Sequence, residues 1–319
     1  VSLPLKVPLA PQLALSRKEL PTGEDYSYEV KLDGFRCLAF VDGNEVFLQS
    51  RNGRPLGRYF PELRFPPGRY VLDGEIVVRD GDGREDFDAL GQRVHPADSR
   101  VQRLSVETPA VYVAFDLLAE DEQSLLERPF SERRAALEAL IDGKRFAQAP
   151  VELMQTVATA EEAQPWLAHA EGAIAKERTA QYRPGERKGM VKVKRVRTID
   201  AVVVGWRPGK EPETVGALIL GLYDGPQLRV VGHCSGLTAK EKRRLVGFLA
   251  PYESGERGSA DPSRWSAGKE LEWIALRPEL VVEIDFDHVS AGRIRHGAKL
   301  RRWRDDKPPL ECKFEQLAS

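Results

Sequence analysis

Between residues 26 and 118 apolar and polar positions alternate in short runs. YSYEVK (26–31), FRCLAFVD (35–42), EVFLQS (45–50), YVLDGEIVV (70–78) and VYVAFDLL (111–118) are rich in β-branched and aromatic residues and predict strands. The DGN triplet at 42–44 separates two of them, as a hairpin turn would. The period then lengthens. SERRAALEALID (131–142) predicts a helix that starts on Ser131 as its N-cap and stops before Gly143. TAEEAQPWLAHA (159–170) predicts another, with Thr159 and Glu162 spaced for a reciprocal capping box. Two more strand runs follow, GAIAKE (172–177) and MVKVKRV (190–196).

Near Thr198 the texture changes. IDAVVVGW (199–206), GALILGLYD (216–224), QLRVVGHC (227–234) and LVVEIDFDHV (280–289) are strands at barrel-like spacing. One helix, TAKEKRRLVGFL (238–249), lies among them and carries the same capping pair, Thr238 and Glu241. Five or so strands around one helix predict a small, partly open barrel of the OB type. The fold class read from this pattern is α+β: antiparallel sheets with helices over residues 1–197, then an OB-fold barrel over residues 198–319. The boundary region, Lys194 to Asp200, holds no Gly/Ser linker, so motion between the two domains would be a hinge.

Composition narrows the classes. A chain of 319 residues exceeds one ordinary core, in agreement with two domains. It is 41% hydrophobic and 30% charged, as globular chains are. Net charge is −1, so a polyanionic partner has to be met by a local basic surface. Two stretches offer one: AGRIRHGAKLRRWRDDK (291–307), with seven Lys or Arg, and KEKRR (240–244). The N-terminal VSLPLKVPLAPQLALS lacks a basic leader and is broken by three prolines, which predicts an extended arm and no signal peptide. No apolar run is long enough to span a bilayer, and a cytoplasmic, nucleoid-associated location is expected. Cys37, Cys234 and Cys312 form no C-x-x-C pair and read as buried apolar residues.

The chemistry concentrates in K-x-D-G-x-R at Lys31, Asp33, Gly34 and Arg36, where a strand should be ending. A lone K-D-G is ordinarily a surface turn. The full pattern arises by chance in roughly one sequence of this length in a few hundred, and here it has companions in order: SRNG (50–53), LDGEIVV (72–78), AFDLL (114–118), EGAIAK (171–176), MVKVK (190–194) and RDDK (304–307). This constellation resembles the covalent nucleotidyltransferases, that is, ATP-dependent DNA ligases, RNA ligases and mRNA capping enzymes. The likeness covers nearly the whole chain. SRNGRPLGRYFPEL and FDALGQRVHPADSR are most similar to the small bacterial ligases, ligase C and the ligase module of ligase D. A stand-alone ligase C type is expected.

The resemblance implies an ATP-grasp-like adenylation domain ahead of the barrel, and it implies roles. Lys31 is the nucleophile that takes AMP from ATP. An amine attacks only when neutral, and an unperturbed lysine has a pKa of ~10.4. Lys192 and Lys194, on one face of a strand, supply the cations that lower it. Arg36 forks onto ribose or phosphate oxygens, Arg51 contacts nucleotide or nicked-strand phosphates, and Phe115 stacks on the purine. Glu75 contacts the ribose or the metal environment. Glu171, presented by a turn at that residue, is the leading Mg²⁺ or Mn²⁺ ligand, and Lys176 reaches the base or ribose side. Arg304 and Lys307 of R-x-D-K orient the departing pyrophosphate, which requires the barrel to close and later swing away. The implied substrate is nicked duplex DNA, met by a monomer that works alongside DNA-repair proteins. Two other readings share parts of the pattern: a capping-type guanylyltransferase that uses GTP, and an inactive OB-type nucleic-acid binder. An NAD-dependent ligase would need a four-cysteine zinc module that three cysteines cannot build.

Overall fold

The structure is a computed structural model that describes residues 3–95, 97–142, 146–260 and 271–318. The chain separates into two compact units after Arg195.

The first unit holds two sheets. One comprises β1 (Leu15–Ser16), β2 (Tyr26–Val30), β9 (Thr156–Val157), β10 (Gly172–Glu177) and β11 (Met190–Lys194), in the order β1-β11-β10-β2-β9. The other comprises β3 (Phe35–Gly43), β4 (Glu45–Ser50), β5 (Gly68–Val78), β6 (Ala110–Glu120) and β7 (Gln123–Ser124) in the order β4-β3-β5-β6-β7, with β8 (Val151–Leu153) parallel to β6. Helices α1 (Phe87–Arg93), α2 (Asp98–Glu107), α3 (Phe130–Ile141) and α4 (Ala160–His169) complete the unit.

β5 and β6 are buried along most of their length, hence their nearly unbroken apolar runs. Gly74 is required by close approach: a Cβ there would lie 2.5 Å from the Tyr112 ring and 2.6 Å from the Val113 carbonyl oxygen. Gly74→Ala is therefore expected to cost ~1–3 kcal/mol through overpacking, read as a lowered urea midpoint at unchanged slope. Arg93, fully buried, grips Glu62 through both terminal nitrogens at 2.6 and 2.9 Å and also donates to the Tyr59 and Thr108 carbonyls. That clasp ties the irregular segment between β4 and β5 to α1.

The DGN turn closes with Asp42 opposite Glu45, and the α4 capping box forms. α3 differs from expectation. Its N-cap is Pro129 without a side-chain cap, and Ser131 lies inside the helix. The amides of Phe130 and Ser131 instead donate to the carbonyls of Ala180 and Arg178 at 2.8 and 2.9 Å, so no side-chain acceptor is needed. Gly143, the expected stop, lies outside the described residues.

The N-terminal arm is extended and docked. Leu3, Leu5 and Leu9 pack on Leu38, Phe40 and Val71. The Gln49 side chain brackets Leu9, accepting from its N–H and donating to its carbonyl. β1 then pairs parallel with β11, with Ser16 opposite Lys192.

The second unit contains β12 (Arg197–Pro208), β13 (Val215–Asp224), β14 (Gln227–Gly236), α5 (Ala239–Leu249), β15 (Glu253–Ala260), β16 (Leu271–Leu276), β17 (Val281–Phe286), β18 (Val289–Ser290), β19 (Arg293–Ile294) and β20 (Ala298–Trp303). Five strands form a ring, β12-β13-β14-β20-β17 and back to β12. Its shortest seam is β14–β20, with two paired positions and a register shift. The α5 capping box of Thr238 and Glu241 is present. β15 and β16 extend the sheet beyond the ring and were not expected, nor was a strand within the basic stretch at AKLRRW. Cys37, Cys234 and Cys312 are buried free thiols. No helix among the described residues is long and apolar enough to cross a membrane.

Candidate active site

Lys31 follows the end of β2, where its N–H donates to the Gly172 carbonyl at 2.9 Å. Its ammonium lies 3.4 Å from a Glu171 carboxylate oxygen. Glu171 reaches it because Gly172 has φ +142, and a Cβ on Gly172 would collide with the Val193 carbonyl. The turn expected at Glu171 is thus made by a glycine no other residue can replace without strain. Gly34 has a similar reason: a Cβ there would run into the Ile76 carbonyl and sit 2.7 Å from Glu75 Cγ.

Lys31, Arg36, Arg51, Glu75, Phe115, Lys176 and Lys192 all line one cavity. Its far wall is the arm, residues Pro11 to Ala14. Lys192 alternates with the buried Val191 and Val193, and Lys194 shares its face, opposite Gly172. Burial holds the Lys192 amine below the ordinary lysine range, and Lys194, Lys31, Arg51 and Arg187 add to this. Arg51 is exposed at the cavity edge in the turn after β4.

Three residues are more committed than their sequence suggested. Arg36 spends its fork on Asp73, with Nε and Nη2 each 2.6 Å from a carboxylate oxygen, and its guanidinium carbon lies 4.5 Å from the Phe115 ring centre. Lys176 is buried, pairs with Glu29 at 2.8 Å and donates to the Phe115 carbonyl at 3.2 Å. Its ammonium also sits 4.5 Å from the Phe115 ring centre. Phe115 therefore meets two cations in this structure.

Glu75 faces Arg36 across the β3–β5 ladder. Burial pushes its carboxyl up to about 7, Asp73 adds to this, and Arg36, Lys31 and the Gly34 N–H oppose it. The folded chain then holds this proton to higher pH than the unfolded chain, whose Glu titrates near ~4.3. Stability is fully present below that value and falls as pH rises toward 7. Glu75→Gln should remove the slope, gaining at most ~3 kcal/mol on the wild type between acid and neutral pH. Urea titrations of the nucleotide-free proteins across that window would read it; parallel curves would refute it.

Asp33 joins the site, with a carboxylate oxygen within 4.8 Å of one from Glu171. Among the described residues Glu75 belongs to no such cluster of three potential metal donors.

Residues 9–194 match the model for the ATP dependent DNA ligase domain, and residues 211–307 that for the ATP dependent DNA ligase C terminal region. The chain belongs to the ATP-dependent DNA ligases. This ligase is 42% identical over 338 residues to DNA ligase C1 of Mycolicibacterium smegmatis, covering 99% of this chain and 96% of that protein. DNA ligase C of Mycobacterium tuberculosis is likewise 42% identical, over 348 residues, with 99% and 96% covered. The ligase domain of Mycobacterium tuberculosis LigD is similar in structure, with a TM-score of 0.51, 30% identity and 95% and 97% of the two chains covered. The nucleotidyltransferase-plus-OB architecture expected from the sequence is that of these relatives.

In the ligase's barrel unit, Arg304 and Lys307 are held by carboxylates. Arg304 Nη1 lies 2.8 and 3.0 Å from the two Asp200 oxygens, while its Nε and Nη2 reach Asp306 at 2.9 Å each. Lys307 lies 3.8 Å from Asp200 and 3.5 Å from Glu311. Gln316 brackets the Asp200 backbone, accepting from its N–H at 3.1 Å and donating to its carbonyl at 3.2 Å.

Sequence reasoning missed Glu29, Asp73, Tyr182 and Gln12. Tyr182 donates to Asp73 at 2.6 Å and accepts from the Gln12 N–H at 2.9 Å. Gln12 is buried and its side-chain amide donates to the Lys188 carbonyl. Only the buried polar character of Asp73 and Glu29 within strand runs signalled a partner.

Proposed function

We propose that this ligase seals nicks in duplex DNA through AMP carried on Lys31. The Lys31 Nζ attacks the α-phosphorus of ATP, forming a phosphoramidate as pyrophosphate leaves. AMP then passes to the 5′-phosphate of the nick, which frees the lysine. The 3′-hydroxyl attacks that activated phosphate and AMP departs. The reading rests on one arrangement: Lys31, beside Glu171, lines a cavity where the cations Lys192, Arg51, Arg187, Lys176 and Arg36 outnumber the carboxylates Glu29 and Glu75, an amine among cations suited to phosphates.

Lys192, held below the ordinary lysine range by burial and by its cationic neighbours, and Lys194 on the same strand face are placed to meet the phosphates of the triphosphate. Arg36 is fixed by Asp73, and Lys176, paired with Glu29, lines the same cavity. Phe115 offers its ring to the purine, which requires one of its two cations to yield. Arg304 and Lys307 act on the pyrophosphate once released from Asp200.

Asp33 and Glu171 fit a divalent ion, since both are hard oxygen donors and lie together at the reacting amine. They would hold Mg²⁺ or Mn²⁺, with Glu75 deeper in the cavity. Such an ion supplies positive charge to the phosphates during displacement. One chain builds the whole nucleotide cavity, which supports a monomer. The LigD relatives, 32% identical in Pseudomonas aeruginosa and matched over 37% of that protein, are named for end joining. This favours a role in DNA repair, alongside repair proteins on the nucleoid in the cytoplasm.

The test is incubation with α-labelled ATP or GTP and Mg²⁺ or Mn²⁺, then denaturing electrophoresis and a nick-sealing assay. An acid-labile adduct from ATP, followed by sealing, is expected. Labelling from GTP would move the reading to a capping-type transfer. No adduct after stripping with pyrophosphate would leave only a nucleic-acid binder.

A further inference from the structure

A ring of hydrogen bonds closes beside the nucleotide cavity, and one phenol completes it. Tyr182 is buried in the segment between β10 and β11. Its oxygen accepts from the Gln12 N–H at 2.9 Å and donates to Asp73 Oδ2 at 2.6 Å. These roles are fixed, because a phenol has one proton and a backbone amide can only donate. Burial, and after it the neighbouring Asp73, raise the Tyr182 phenol well above the ordinary tyrosine range, so that proton stays in place. Asp73 Oδ2 also accepts from Arg36 Nη2 at 2.6 Å, and the same Nη2 donates to the Gln12 carbonyl at 3.4 Å. The path therefore leaves Gln12 by its N–H and returns to it by its carbonyl.

Gln12 matters because of where it sits. Residues Pro11 to Ala14 form a wall of the cavity. They precede the arm's sheet pairing, which begins with Leu15 opposite Val191, so the wall is placed by bonds to other segments. Residues 182–188 supply several. The Gly185 N–H donates to the Pro11 carbonyl at 3.3 Å, the Leu13 N–H to the Glu186 carbonyl at 2.8 Å, and the Gln12 side-chain amide to the Lys188 carbonyl. Tyr182 does more than stitch the arm to this loop. Through Asp73 it ties both to Arg36, which lines the same cavity from the other sheet beside Phe115.

We infer, on the ligase reading above, that Tyr182 is a positioning residue for the adenylylation of Lys31: its hydroxyl locks the arm to the Arg36–Asp73 pair, so that wall and guanidinium stand in one frame before ATP arrives. A wall already in place leaves nucleotide binding less to order. Without the hydroxyl the buried Gln12 N–H loses its acceptor and Asp73 loses a donor, so the closed arrangement is populated only in part. Apparent affinity for ATP falls by that fraction, while the saturated enzyme, closed by its ligand, reacts as before.

The test is Tyr182→Phe in the full chain. The variant loses one oxygen and keeps the ring that packs with Leu38, Phe40 and Val71. KM for ATP in the labelling step should rise about tenfold, the scale of one buried hydrogen bond left unmade, while the rate at saturating ATP stays within about twofold. Hydrogen exchange should locate the cause: the Gln12 amide loses protection by about the same factor, and the amides of β5 and β6 keep theirs. A hydroxyl that serves stability alone would lower the urea midpoint, speed all these amides together and leave KM unchanged; that result would overturn the inference. So would a Gln12 amide as protected as in the unaltered chain. If the unaltered chain forms no adduct with ATP, the ligase reading fails and the positioning role with it, while Gln12 exchange still judges the lock itself.

Discussion

Lys31→Ala loses the covalent adduct with ATP, by at least ~10⁴-fold in rate, the scale on which deleting a nucleophile acts. It nevertheless keeps the ability to seal a nick whose 5′ end already carries AMP. The asymmetry follows from the order of bonds: the lysine nitrogen is bonded to phosphorus only until AMP reaches DNA. Lys31→Arg sharpens the result. Arginine keeps the positive charge 3.4 Å from Glu171 but stays protonated at any working pH, so it restores the ion pair and not the nucleophile. Both variants are expected to be equally inert in rapid-quench labelling and comparable on the pre-adenylylated nick. Residual adduct in Lys31→Arg would mean that another residue accepts AMP.

Lys176→Met should cost ~3–5 kcal/mol, because it strands the buried Glu29 carboxylate without its counter-charge. Glu29 is 2% exposed and Lys176 3%, so water replaces neither. Burial already raises the Glu29 carboxyl against the pull of Lys176. The double variant Glu29→Gln/Lys176→Met removes both charges and should recover most of the loss. A urea double-mutant cycle gives the coupling; a single-variant cost below ~1 kcal/mol would show that solvent enters the pair. ATP labelling by the refolded double variant then separates the pair's contribution to the fold from its contribution to the cavity.

The hydrophobic pattern made much of the fold legible, because burial of β3, β5 and β6 on both faces demands β-branched and aromatic runs. Capping boxes at Thr159 and Thr238 are short-range, and they formed. Ser131 failed as a cap because the helix starts two residues earlier, with Pro129 as its N-cap, where the first-turn amides of Phe130 and Ser131 are answered by carbonyls 47 or more residues later, a long-range fact. β15 reads ESGERGSA, which carries no strand-forming residue and is held by pairing with β16. At the site, the reactive groups were visible and their partners were not. Lys176 stands opposite Ser27 and Arg36 opposite Glu75, yet each pairs with the carboxylate two residues along the neighbouring strand, Glu29 and Asp73. Long side chains reach such diagonal neighbours, but the diagonal is defined only once register is known. Tyr182 and Gln12 are further still, joined to Asp73 through a loop and the arm.

Asp200 gives the barrel a built-in competitor. Its carboxylate sits on Arg304 at an effective concentration set by the fold, tethered as it is by Gln316, so a phosphate binds that guanidinium by exchange and not by simple addition. Affinity for pyrophosphate measured on the isolated motif and on the whole barrel should therefore differ, the barrel being weaker by the cost of the displaced carboxylate. If Arg304 meets the pyrophosphate as proposed, release follows the same logic in reverse: as the anion loosens, Asp200 stands ready to retake the arginine.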